Sequence, residues 1–175
     1  MKSPPVSPVE GFQALFESAG GEVVRVSDRA GAATWIARFS TDFPSVIFGE
    51  HVPAELKPDL PSVTPEVAAL GLSMARGAVA ETGSLLMDAR DGRRAQLLAP
   101  THVVVLDAAA VYASLREALI SLKDDLPSAI GFHSGPSKSA DIGQIMVRGV
   151  HGPGRVIALV IDESVIVQDH KEGIS

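Results

Sequence analysis

Residues 131–142 read GFHSGPSKSADI, and the fold turns on how this stretch is divided. Residues 129–133 are the end of an apolar run and predict a strand. Ser134, Gly135 and Pro136 break it. From Ser139 onward, Ile142, Ile145 and Met146 recur at helical spacing and predict a helix over residues 139–148. Residues 155–161, RVIALVI, are apolar enough for a strand buried on both faces. Strand, loop, helix and strand in that order predict a parallel crossover unit.

The same alternation extends outward. Phe12, Leu15 and Phe16 predict a helix over residues 9–19, ended by Gly20-Gly21. Residues 22–27 alternate like a strand. A helix over residues 30–39 turns Trp35, Ile36 and Phe39 inward, and residues 46–48 form a short buried strand. Four prolines make residues 51–65 a loop. Residues 66–70 suggest a helical turn. Residues 78–87 read as a strand interrupted at Gly83. Asp91-Gly92 is a two-residue hairpin turn that would return residues 93–98 as an antiparallel partner. Residues 102–107 predict a buried strand, and residues 108–122 a helix with Val111, Leu115, Ala118, Leu119 and Leu122 on one stripe. The pattern predicts an α/β fold, a largely parallel sheet flanked by helices. Residues 1–8 read as a flexible tail and residues 9–170 as a single domain. Residues 9–48 are expected to complete the sheet.

Composition narrows the function. The 175 residues carry a net charge of −6 with no cluster of Lys and Arg, which argues against nucleic acid and anionic membrane as partners. No apolar run approaches the roughly 18 residues of a membrane span. The Pro-rich start, MKSPPVSPVE, lacks the apolar centre of a signal peptide, so a cytoplasmic location is expected. There is no Cys, hence no disulfide, thiolate nucleophile or Cys-ligated cluster within these residues.

If residues 139–148 are helical, the quoted stretch resembles an anion cradle. The first amides of a helix lack intrahelical partners, and Gly135 admits a close ligand. Lys138 adds positive charge, and Ser134, Ser137 and Ser139 add hydroxyls. Asp141 either lines the site or occupies it. The plain alternative is that a serine caps the helix and Lys138 lies in solvent. A second candidate is Ala80-Glu81-Thr82-Gly83-Ser84, a carboxylate and two hydroxyls around a strand glycine. A bulge at Gly83 would aim Glu81 into a cleft as base or nucleophile; otherwise Glu81 faces solvent. His133 ends a strand beside the cradle, and His151 lies between glycines. With a helix intervening, His151 falls at the far end of the sheet from Lys138. His51, His102 and His170 have no metal-ligand spacing, and no metal is expected.

Four stretches, AETGS at 80–84, APTH at 99–102, GPSKSADI at 135–142 and GVHGP at 149–153, resemble in that order the lactate-utilisation (LUD) domain family, nearest its lactate-utilisation protein C branch. The resemblance implies a fold similar to glucosamine-phosphate isomerase, ribose-phosphate isomerase and CoA transferases. It further implies a non-cluster component that accompanies iron–sulfur proteins in oxidising L-lactate to pyruvate. Such a component would bind a small anionic ligand, whether carboxylate, phosphate or CoA-like, through Thr82, Gly83, Ser84 and the Lys138 loop. The cofactor is left open. The alternative is a freestanding acyl-transfer or sugar-phosphate enzyme using Glu81. A third option is a structural domain in which these stretches are turns.

Overall fold

Ser7 starts the chain's first helix. Its hydroxyl accepts from the Glu10 N–H, and the Glu10 carboxylate accepts from the Ser7 N–H. This reciprocal cap, with Pro8 at the first helical position, fixes α1 over Pro8–Ser18. Ser7 and Pro8, expected to belong to the tail, are therefore part of the α1 start. The computed structural model of the chain describes residues 7–140, 146–148 and 152–162.

Beyond α1 come β1 (Glu22–Val26), α2 (Arg29–Ser40), β2 (Val46–Phe48) and β3 (Leu70–Met74). A hairpin follows, β4 (Gly77–Val79) and β5 (Ser84–Asp88), then α3 (Arg93–Leu98) and β6 (Thr101–Asp107). The short β7 (Val111–Tyr112), α4 (Leu115–Leu122) and β8 (Ile130–His133) lead to β9 (Lys138–Ala140), β10 (Met146–Arg148) and β11 (Arg155–Ile161). The main sheet has five strands in the order β1-β11-β6-β3-β2, all parallel. The N-terminal segment supplies both of its edges, as expected. β6 and β11 sit inside it and are buried on both faces, hence their continuous apolar sequences.

Each face is covered differently. On one, Ala32 and Ile36 of α2 pack on Leu70, Leu72, Val103, Val105, Ile157 and Leu159, with Trp35 and Phe39 at the margin. On the other, Phe12 and Phe16 of α1 meet Val104, Leu106, Ala158 and Val160 together with Ala78, Leu85 and Met87. The last three belong to a second sheet of four strands, β7-β4-β5-β8. Its outer face is closed by Ala118 and Leu122 of α4. The layers thus run helix, parallel sheet, α1 with a small mixed sheet, and helix.

Four local expectations are corrected. Residues 139–148 are not one helix: β9 and β10 pair antiparallel, Lys138 opposite Arg148. The apolar positions of a ten-residue stretch make too short a pattern to choose between helix and hairpin. Residues 93–98 form α3 rather than a returning strand; Arg, Ala, Gln and Leu are good helix formers, and Gly92 heads the helix at φ 87°. Residues 78–87 are two strands joined by a turn, with no bulge. Residues 108–122 are interrupted by β7, because Val111 and Tyr112 pair with Ala78 and Val79 before Ser114 caps α4.

Candidate functional site

The Glu81 turn is built against α4. The amides of Ala80 and Glu81 donate to the carbonyls of Tyr112 and Ala113 at 2.8 and 3.2 Å. Gly83 has φ +59°, and a Cβ there would stand 2.6 Å from Leu15 Cβ and 2.8 Å from the Phe16 nitrogen. Only glycine lets this turn lie on α1. Glu81 is exposed, and its Oε1 accepts from the Leu115 N–H at 2.7 Å. It therefore supports the first turn of α4, next to the Ser114 cap, where negative charge is favoured. Thr82 is exposed, whereas Ser84 is buried, and its Oγ lies 2.7 Å from Ser134 Oγ.

The Lys138 segment also departs from expectation. Its parent strand β8 runs antiparallel to β5 in the small sheet, so residues 134–137 do not follow a strand of the parallel sheet. With a strand at 138–140, helical amides do not face Lys138. Its Nζ instead lies over Gly20, 3.4 Å from where a Cβ on that residue would be. That is the carboxyl end of α1, which has no basic residue in its own last turn. Lys138 supplies the positive charge there from outside the helix. Gly135 rests on the same turn, near the Ala19 carbonyl.

The motif stretches nevertheless converge. The Ser137 N–H donates to the Pro153 carbonyl at 2.8 Å, and Gly152 lies against the Ser137 side chain. The Gly154 and Arg155 amides donate to the Pro100 carbonyl at 2.9 and 3.2 Å. This junction sits at the amino ends of β1, β6 and β11, where Arg155 pairs with Glu22 at 2.7 Å. The expected place was the carboxyl ends. The intervening helix on which the expected separation of Lys138 from His151 rested is not formed: Arg148 pairs with Lys138, and Gly152 packs on Ser137. His151 and Asp141 lie outside the described residues, and Ser139 is described only as backbone.

His133 leads to a true cavity. About 230 Å³ opens between α3 and β8, lined among others by Arg93, Gln96, His133, Met87, Leu97 and Ile130. Gln96 is buried, and its amide nitrogen donates to the Asp88 carbonyl at 2.8 Å. Arg90 is held by Asp88 and Asp125, and Arg94 by Glu66. The Arg93 side chain has no ion pair or hydrogen bond among the described residues. Burial pushes the His133 imidazole below its usual range, so it is neutral at pH 7.

His102 is fully buried beneath α3, its ring close to Gly71, which itself lies against the Ala95 carbonyl. Its Nε2 and the Ser73 hydroxyl share a 2.9 Å hydrogen bond, while Nδ1 has no partner. Burial, reinforced by His133, lowers its pKa to about 3. A neutral pair of imidazoles thus stands behind and beside the cavity. Neither Glu81 nor Lys138 lines it.

Sequence reading also missed a dyad. Asp91, 1% exposed, accepts at Oδ1 from the His51 N–H (2.8 Å) and lies 3.2 Å from His51 Nδ1. Gly49 leaves no room for a side chain against that carboxylate. Asp91 looked like a turn residue, and nothing in its neighbours paired it with His51. Among the described residues no group of three His, Asp or Glu gathers as a metal site requires. No helix among them is long and apolar enough to cross a membrane.

Comparison with known proteins agrees with the arrangement. A DUF162 family protein from Deinococcus radiodurans, 21% identical, superposes with a TM-score of 0.68 over 90% of this chain and 100% of that one. Lactate utilization protein C 1 of Bacillus mycoides (strain KBAB4) is 30% identical over 106 residues, covering 56% of this chain and 45% of that protein. Lactate utilization protein C of Anoxybacillus flavithermus (strain DSM 21510 / WK1) is 34% identical over 101 residues, 56% of this chain and 46% of that one. The chain spans about half the length of the curated relatives it matches. The LUD domain family model matches residues 66–161, the span from the approach to β3 through the end of β11. The chain belongs to the LUD domain family.

Proposed function

We propose that this chain serves lactate utilisation as a non-cluster component, acting with iron–sulfur partner proteins in the oxidation of L-lactate to pyruvate. The supporting observation is its membership of a family whose matched relatives are named lactate utilization protein C, together with a sequence that lacks Cys. Oxidation of a 2-hydroxy acid releases two electrons and two protons. These residues offer no thiolate to hold a cluster that would take the electrons, so that task falls to partners. The part left to this chain is to bind a small anion and dock on those partners in the cytoplasm.

The freestanding-enzyme reading needs Glu81 in a cleft. Its exposure and its bond to the Leu115 amide favour a helix-supporting role instead. Deletion of the gene and growth on L-lactate as sole carbon source test the proposal. Growth should fail and return with the wild-type gene, and Cys-rich iron–sulfur proteins should copurify with the tagged chain. Unimpaired growth, or turnover of L-lactate by the isolated chain, would end it.

A further inference from the structure

We propose that the cavity between α3 and β8 is a binding site for a short-chain 2-hydroxy or 2-oxo monocarboxylate, with Arg93 holding the carboxylate and His133 the 2-oxygen. The choice of this acid class rests on the functional reading above; the site itself rests on its lining.

Size comes first. At about 230 Å³ the cavity falls below the roughly 300–1,000 Å³ of drug-sized pockets. It suits a ligand of a few heavy atoms and excludes nucleotides and CoA as a whole. Charge comes second. Among the described residues, Arg93 is the only Arg, Lys, Asp or Glu on the lining. Its neighbours Arg90 and Arg94 are both paired, whereas the Arg93 guanidinium has no ion-pair partner among the described residues. A guanidinium presents a planar fork that matches a carboxylate.

The third element is His133. A neutral imidazole has one N–H donor and one acceptor nitrogen. The acceptor suits a 2-hydroxyl, and the donor suits a 2-oxo oxygen. One residue thereby accommodates both members of such a redox pair. Met87, Leu97 and Ile130 supply an apolar wall for a methyl group. Of these residues the sequence singled out only His133; Arg93 went unnoticed, since residues 93–98 were expected to be a strand.

Isothermal titration of the full chain with L-lactate and with pyruvate tests the site, with propionate, phosphate and chloride as comparison ions. Expected is saturable binding of at least one acid with Kd on the order of 1 mM or tighter. Arg93→Ala, at an exposed position, should weaken it about ten-fold or more, and Leu97→Trp should block it by filling the cavity. His133→Phe, which keeps the ring's bulk, should bring the affinity for lactate or pyruvate down to that for propionate. No binding by the folded wild-type chain, equal binding of phosphate, or binding indifferent to both Arg93→Ala and Leu97→Trp would overturn the site. A chain needed for growth on L-lactate that binds neither acid overturns the cavity alone. A chain that binds the acid but is dispensable for that growth overturns the functional reading alone.

Discussion

The backbone N–H of Ser137 donates to the carbonyl of Pro153 at 2.8 Å. This bond joins two family motifs that sequence spacing alone would set at opposite ends of the sheet. Gly152 makes the approach possible. Its φ is +106°, and a Cβ there would stand 3.0 Å from Ser137 Cβ. Gly152→Val should therefore cost about 1–3 kcal/mol. The urea midpoint should fall with an unchanged m-value.

Glu81 separates a structural from a chemical role. Glu81→Ala removes the acceptor of the Leu115 amide and should cost about 1 kcal/mol. Glu81→Gln keeps an acceptor at that position and should cost less. Neither change should alter the affinity for a small carboxylate, measured by titration calorimetry.

The fold was legible where burial alone decides. The runs at 101–107 and 155–161 are apolar throughout because both faces of their strands are covered. α1 and α2 were legible from Phe12, Phe16 and Ile36 at helical spacing. β3 was missed because Gly71 and Ser73 interrupt its apolar pattern. Both residues lie near His102 under α3, a constraint set by tertiary contact. The candidate site was less legible. Ser137, Gly152 and Pro153 were singled out and do meet, but Arg93 and Asp91 acquire their surroundings only when α3 and the loop after β2 are in place.

Acid stability should carry the mark of His102. Its folded pKa of about 3 lies below the ordinary 6.5, so between these values the unfolded chain binds the extra proton. The contribution is complete above pH 6.5 and is lost as pH falls, by up to about 1.4 kcal/mol per pH unit. His133, also lowered, adds in the same direction. His102→Gln should flatten the decline measured by urea unfolding between about pH 6.5 and about pH 4.5. An equally steep decline in the variant would contradict this.

Lys138 beside the carboxyl end of α1 predicts a salt-dependent effect. Lys138→Glu should destabilise by about 0.5–1 kcal/mol at low ionic strength. The loss should shrink in 1 M salt, where the screening length is about 3 Å. A loss of the same size at both ionic strengths would point to packing instead.

The most direct test of the account is reconstitution. The purified chain is combined with the iron–sulfur proteins proposed to copurify with it, L-lactate is added, and cluster reduction is followed by electron paramagnetic resonance. The account predicts cluster reduction with pyruvate formation only when this chain is present, and loss of both with Arg93→Ala. Pyruvate formed by the chain alone, or by the iron–sulfur proteins without it, would contradict the account.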